Sequence, residues 1–128
     1  MKLLLDTHAL LWFLLNDARL TDHARSLITA SENELLVSPA SLWEIAIKVS
    51  LRKYSLAEDF AEFVERQIAE NQLTVLPIAV RHAAIVATLP FHHRNPFDRL
   101  LIAQAIAEQL PLISSDMAFD LYPVVRVW

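Results

Sequence analysis

The chain of 128 residues contains neither glycine nor cysteine. Without glycine, phosphate-cradling loops such as GxxxxGKT or GxGxxG cannot be written, so nucleotide-cofactor readings lose their best motif. Without cysteine there is no disulfide framework and no thiolate metal site, which excludes zinc fingers and thiol chemistry; any metal must be held by oxygen or imidazole. A basic excess is also missing. Eleven Lys and Arg stand against fifteen Asp and Glu, a net charge of −4, which argues against nucleic-acid binding by bulk electrostatics. It leaves room for a nuclease whose acidic site is neutralised by divalent cations, and an acidic surface suits a basic protein partner. The apolar segments are short and broken by charge, so no membrane span is expected. One lysine and three leucines precede Asp6, without the longer apolar region of a secretory signal, and a cytoplasmic protein is expected.

What remains is 55% hydrophobic, enough for one domain over residues 1–128 that buries roughly two thirds of its unfolded surface. Short apolar runs alternate with helical stretches. Strands are predicted at Lys2 to Leu5, Glu34 to Ser38, Leu73 to Ile78, "LPLISS" and "VVRVW". Helices are predicted at Thr7 to Leu15, Thr21 to Ser31, "PASLWEIAIKVSL", Glu58 to Asn71 and Val80 to Thr88. The last helix should run from Pro96 to about Gln109, capped by Asn95. This alternation indicates the doubly wound α/β class, a parallel sheet of four to five strands with helices on both faces and ligands at the strands' carboxyl ends.

Four acids then become notable. Asp6 and Asp116 follow the first and fourth strands, Glu44 lies in the helix leaving the second, and Asp98 lies in the first turn of the helix leading into the fourth. All four could converge on one sheet edge. Taken singly, Asp6 and Asp116 read equally well as helix caps, Asp98 as a first-turn acid answering Asn95, and Glu44 as half of an ion pair with Lys48. Glu44 stands alone among Leu42, Trp43, Ile45, Ala46 and Ile47, so it should be buried or point into a cleft. Gathered carboxylates repel unless a divalent cation neutralises them, and all-oxygen ligands point to Mg²⁺ or Mn²⁺. Such a site suits phosphodiester hydrolysis.

"LLLDTHALLW", "SLWEIAIK", "HRNPFDRLLIAQA" and "LISSD" with a terminal "VRVW", in this order across the whole chain, closely resemble the PIN-domain ribonucleases of the VapC toxin family. The resemblance implies a three-layer α/β/α sandwich and an acidic quartet at Asp6, Glu44, Asp98 and Asp116 that serves as both metal ligands and catalytic residues. Ser114 and Thr7 are implied as supporting polar groups. The implied activity is a Mg²⁺- or Mn²⁺-dependent endoribonuclease leaving 5′-phosphate and 3′-hydroxyl ends, commonly on structured RNA such as tRNA. Its implied partners are a cognate antitoxin of a type II toxin-antitoxin system, which covers the site, and a second copy in a homodimer. Two departures stand out. Many relatives carry Asp where this chain has Asn95, and often a glycine near "LRK" at residues 51 to 53.

Arg94, Arg99 and Lys48 are candidate RNA phosphate contacts, with Arg52 and Lys53 extending the patch. His92 and His93 resemble a metal pair, but adjacent side chains diverge, and they are read as non-ligands. His8 is expected near the site as support, and Trp12 and Trp43 in the core. Aspartyl phosphatase chemistry wants a second carboxylate two residues after Asp6, where His8 stands, and a receiver domain wants paired acids at the first strand. The remaining alternative is a catalytically silent PIN module that binds RNA or a protein; retention of all four acids argues against it.

Overall fold

A computed structural model describes all 128 residues. β1 (Lys2–Leu5) leads into α1 (Thr7–Leu14) and α2 (Asp22–Thr29); β2 (Glu34–Val37) leads into α3 (Pro39–Ser50) and α4 (Phe60–Glu70); β3 (Thr74–Val75) is followed by α5 (Val80–Val86) and α6 (Pro96–Glu108); β4 (Leu112–Ile113), a 3₁₀ turn (Met117–Leu121) and β5 (Arg126–Val127) complete the chain. The five strands form one sheet in the order β3-β2-β1-β4-β5, every pair parallel.

Alternation along the strands divides the core into two layers. Leu3, Leu5, Leu35, Val37 and Ile113 pack with Ala9, Leu10, Ala24, Ile28 and Ile45 from α1, α2 and α3. On the opposite face, Leu4, Leu36 and Leu112 pack with Leu101, Ile102 and Ala105 of α6, together with Leu89, Phe119 and Tyr122. The result is the expected sandwich of helices, parallel sheet and helices. β3 is shorter than the predicted Leu73 to Ile78 because only Thr74 and Val75 pair with β2 at its edge.

From central β1 the chain builds outward on one side through β2 and β3 and on the other through β4 and β5. The reversal lies between β1 and β4, where side connections diverge and leave a crevice at the strands' carboxyl ends. No helix is long and apolar enough to cross a membrane.

Candidate metal centre

Asp6 follows β1 at this reversal, and its backbone N–H donates to Ile113 O of β4 at 3.1 Å. Its carboxylate divides its two oxygens. Oδ1 accepts from Ala9 N (2.7 Å) and caps α1, while Oδ2 accepts from the buried Ser114 hydroxyl (2.5 Å). Ser114 Oγ in turn accepts from Asp116 N at 3.0 Å. Asp116 repeats the pattern, with Oδ1 capping the 3₁₀ turn through Ala118 N (3.0 Å) and Oδ2 lying 2.8 Å from His93 Nε2. Capping and site-building are therefore complementary roles of one carboxylate, not alternatives.

Glu44 is 6% exposed in α3. Its Oε2 accepts from Asn95 Nδ2 (3.1 Å) and lies 3.7 Å from Lys48 Nζ, whereas buried Oε1 has no partner. Asn95 also caps α6, its Oδ1 accepting from Phe97 N (2.8 Å) and Asp98 N (3.3 Å). An aspartate could make the cap but could not donate to Glu44. Compared with an aspartate, asparagine here thus exchanges a charge for a tether.

Asp98, in the first turn of α6, completes the group. Burial raises its carboxyl to about 6, with further upward pushes from Glu44, Asp6 and Asp116 that His93 partly opposes. Asp6 is also raised to about 6, chiefly by burial, against the hydrogen bonds from Ser114 and Ala9 and with repulsion from Asp116 and Glu44 adding to the rise. The four acids thus share one electrostatic neighbourhood, as the sequence leads one to expect. Ligand atoms of His93, Asp98 and Asp116 lie within 4.8 Å of one another. The unpartnered Glu44 Oε1 and two carboxyls driven toward protonation are groups that a bound cation would satisfy, and the donor set fits a divalent metal.

Several expectations need correction. Arg99, expected among the phosphate contacts, is 6% exposed; its guanidinium donates to the carbonyls of Pro90 (2.9 Å), Leu89 (3.1 Å), Val86 (3.4 Å) and His93 (3.5 Å) and lies over the Phe91 ring. It holds the loop ahead of α6 and is closed to RNA. Trp43, expected in the core, is 62% exposed and meets Phe97 edge to face at 5.2 Å; the buried stripe of α3 runs through Ala40, Ser41, Glu44 and Ile45 at helical spacing, and Trp43 lies off it. Thr7 turns its buried hydroxyl to Ser41 Oγ (3.0 Å), tying α1 to α3. His8 is exposed beside Trp12, which is partly buried against the core. Arg94 is exposed, and with Lys48 and Lys53 it lines a groove that Glu44 and Asn95 share.

His93, read from the sequence as a non-ligand, stands beside the acids. Its side chain is only 8% exposed and is packed against Phe119 and Tyr122. Its neighbour His92 is exposed, as divergence of adjacent side chains requires. No spacing rule finds His93, because its partner Asp116 lies 23 residues away.

The family model described as PIN domain matches residues 3–124. Comparison with curated protein sequences gives no match. Among solved structures, the chain is similar to VapBC2 from Rickettsia felis bound to a DNA fragment from its promoter (18% identity, TM-score 0.75, covering 99% of this chain and 98% of that one). It is also similar to DNA-bound VapBC from Salmonella typhimurium (22%, TM-score 0.72, 100% and 97%) and to FitAcB from Neisseria gonorrhoeae (19%, TM-score 0.65, 100% and 97%).

Proposed function

The chain belongs to the PIN-domain family, and from that premise we propose that it is a Mg²⁺- or Mn²⁺-dependent endoribonuclease acting as the toxin of a type II toxin-antitoxin system in the cytoplasm. The observation that carries this reading is the meeting of Asp6, Glu44, Asp98 and Asp116 from four segments, with Glu44 Oε1 buried and unpartnered. A divalent cation bound there supplies Lewis acidity that activates water and offsets charge on phosphoryl oxygens. Asp6, Asp98, Asp116 and Glu44 would hold it. Ser114 fixes the Asp6 carboxylate, and Asn95 with Lys48 fixes Glu44.

In the proposed reaction water adds to phosphorus and the bond to O3′ breaks, leaving a 5′-phosphate on one fragment and a 3′-hydroxyl on the other. RNA, with tRNA or another structured RNA as substrate, enters along the groove where Arg94, Lys48 and Lys53 offer phosphate contacts beside the exposed Trp43. The protein forms a homodimer, and a cognate antitoxin covers the acidic site; the antitoxin-containing complexes among the structural neighbours support this partner. Cleavage of total tRNA in Mg²⁺ or Mn²⁺, beside EDTA and the Asp98→Asn variant, tests the reading. Discrete fragments that need both metal and Asp98 are expected; fragments unchanged by EDTA would refute it, and intact RNA with metal retained would favour the silent binding module.

A further inference from the structure

Two rows of side chains spaced by one helical turn run along α3. One row, Glu44 and Lys48, belongs to the acidic centre. The other is Trp43, Ile47 and Leu51, apolar throughout, with Trp43 62% and Leu51 60% exposed. Phe97, from the first turn of α6, meets the Trp43 ring at 89° and 5.2 Å. This edge-to-face contact fixes the indole and leaves most of it in solvent. Phe97, Ile47 and Leu51 also line a groove of about 400 Å³, into which Glu44 and the cations Lys48, Lys53 and Arg94 open. Lys48 is paired with Glu44, but Lys53 and Arg94 enter none of the chain's ion pairs. In a chain of net charge −4, two unpaired cations in one groove call for an anionic occupant. A purely apolar partner would cover the Trp43–Leu51 row and leave Lys53 and Arg94 unmatched; a nucleotide offers a phosphate and a flat aromatic face within one residue.

Building on the ribonuclease reading, on which it rests, we propose that Trp43 is the platform on which one unpaired base of the substrate stacks. Lys53 and Arg94 hold the phosphates beside it, and the centre thereby selects nucleotides that are free to leave a helix. Within a duplex both faces of a base are covered by its neighbours, so only a base in a loop, bulge or end presents its face without first unstacking. Stacking is tolerant of sequence, because every base has an aromatic face. Trp43 therefore selects for strandedness and leaves base identity to other contacts. Its place on α3 next to Glu44 sets the stacked base beside the acidic centre, where the scissile phosphate must lie.

Binding of two probes tests this: a short single-stranded RNA, and the same strand annealed to its complement. Both are titrated with Mg²⁺ into the cleavage-deficient Asp98→Asn protein and followed by tryptophan emission and by anisotropy of the end-labelled RNA. The single strand should quench the emission and bind more tightly than the duplex. Adding Trp43→Leu, which keeps an apolar side chain without an aromatic face, should weaken single-strand binding at least fivefold and duplex binding less than about twofold. Trp43→Phe should restore the affinity without the quench, since the remaining Trp12 and Trp128 pack against the core. Unchanged single-strand affinity in Trp43→Leu, or an equal loss for both RNAs, would overturn the proposal while metal-dependent tRNA cleavage keeps the ribonuclease reading standing. Unchanged RNA affinity with loss of the dimer in light scattering would overturn it by assigning the apolar row to a second copy. No binding of either RNA would also overturn it, and absence of tRNA cleavage by the wild type besides would take the ribonuclease reading with it.

Discussion

Asp98 and Asp6 have carboxyls raised to about 6 from an ordinary value of 3.8. Between those values the folded chain holds more protons than the unfolded one. The stability each group contributes is thus complete below about pH 4 and is lost as pH rises through 6. For buried Asp6 the loss is on the order of 2–3 kcal/mol; it is less for Asp98, which solvent reaches. Asp98→Asn, a neutral isostere, should therefore melt higher than the metal-free wild type, the gap opening between pH 4 and 7 and levelling above. Thermal melts of both proteins in EDTA check this, and a variant that melts lower at pH 7.5 would show Asp98 to be a structural residue. Asp6→Asn should gain less, because Asp6 also caps α1 and accepts from Ser114. Asn95→Asp keeps the α6 cap, loses the donor to Glu44 and adds repulsion. We expect a lower melting temperature without metal and severalfold tighter Mg²⁺ binding by calorimetry; unchanged values for both would show that the Asn95–Glu44 bond has no weight.

Helix ends show what the absence of glycine costs. Asn16, Arg52, Gln72 and Gln109 all adopt left-handed backbone, with φ between 52° and 59°, just after α1, α3, α4 and α6. Each closes its helix with the paired bonds of a Schellman turn, such as Lys53 N to Lys48 O and Arg52 N to Val49 O. A side chain there is strained by about 1 kcal/mol relative to glycine. Arg52→Gly should raise the melting temperature by roughly 3–5 °C; a decrease would mean that the Arg52 side chain makes a contact worth more than the strain. The loop ahead of α6 depends instead on Arg99. Arg99→Ala should cost on the order of 2–4 kcal/mol by stranding buried carbonyls, seen as a lower urea midpoint; an unchanged midpoint with weaker RNA binding would restore the phosphate role. Elements with strong caps and long apolar periods, such as α3 and α6, were legible in the sequence. The edge strand β3 was overextended, since pairing with a neighbour sets its length. Trp43 was misplaced because an apolar helix gave no polar face from which to orient it.

At the scale of the whole molecule, the parallel sheet and its reversal between β1 and β4 explain why acids far apart in sequence meet. Strand ends deliver Asp6 and Asp116, and α3 and α6 lean Glu44 and Asp98 over the same edge. That convergence was legible because each acid sits at a definable place on an element. The contribution of Arg99 and His93 was not, because both depend on an irregular loop whose path is set by tertiary hydrogen bonds to Val86, Leu89, Pro90 and Tyr122. The centre as a whole is predicted to be a metal-neutralised hydrolytic site. Its most direct test is single-turnover cleavage of an end-labelled RNA by metal-stripped protein back-titrated with Mn²⁺, with analysis of the fragment ends. Cleavage should rise with metal occupancy, leave 5′-phosphate and 3′-hydroxyl ends, and be absent in Asp98→Asn. Metal-independent cleavage leaving 2′,3′-cyclic phosphates would contradict the account.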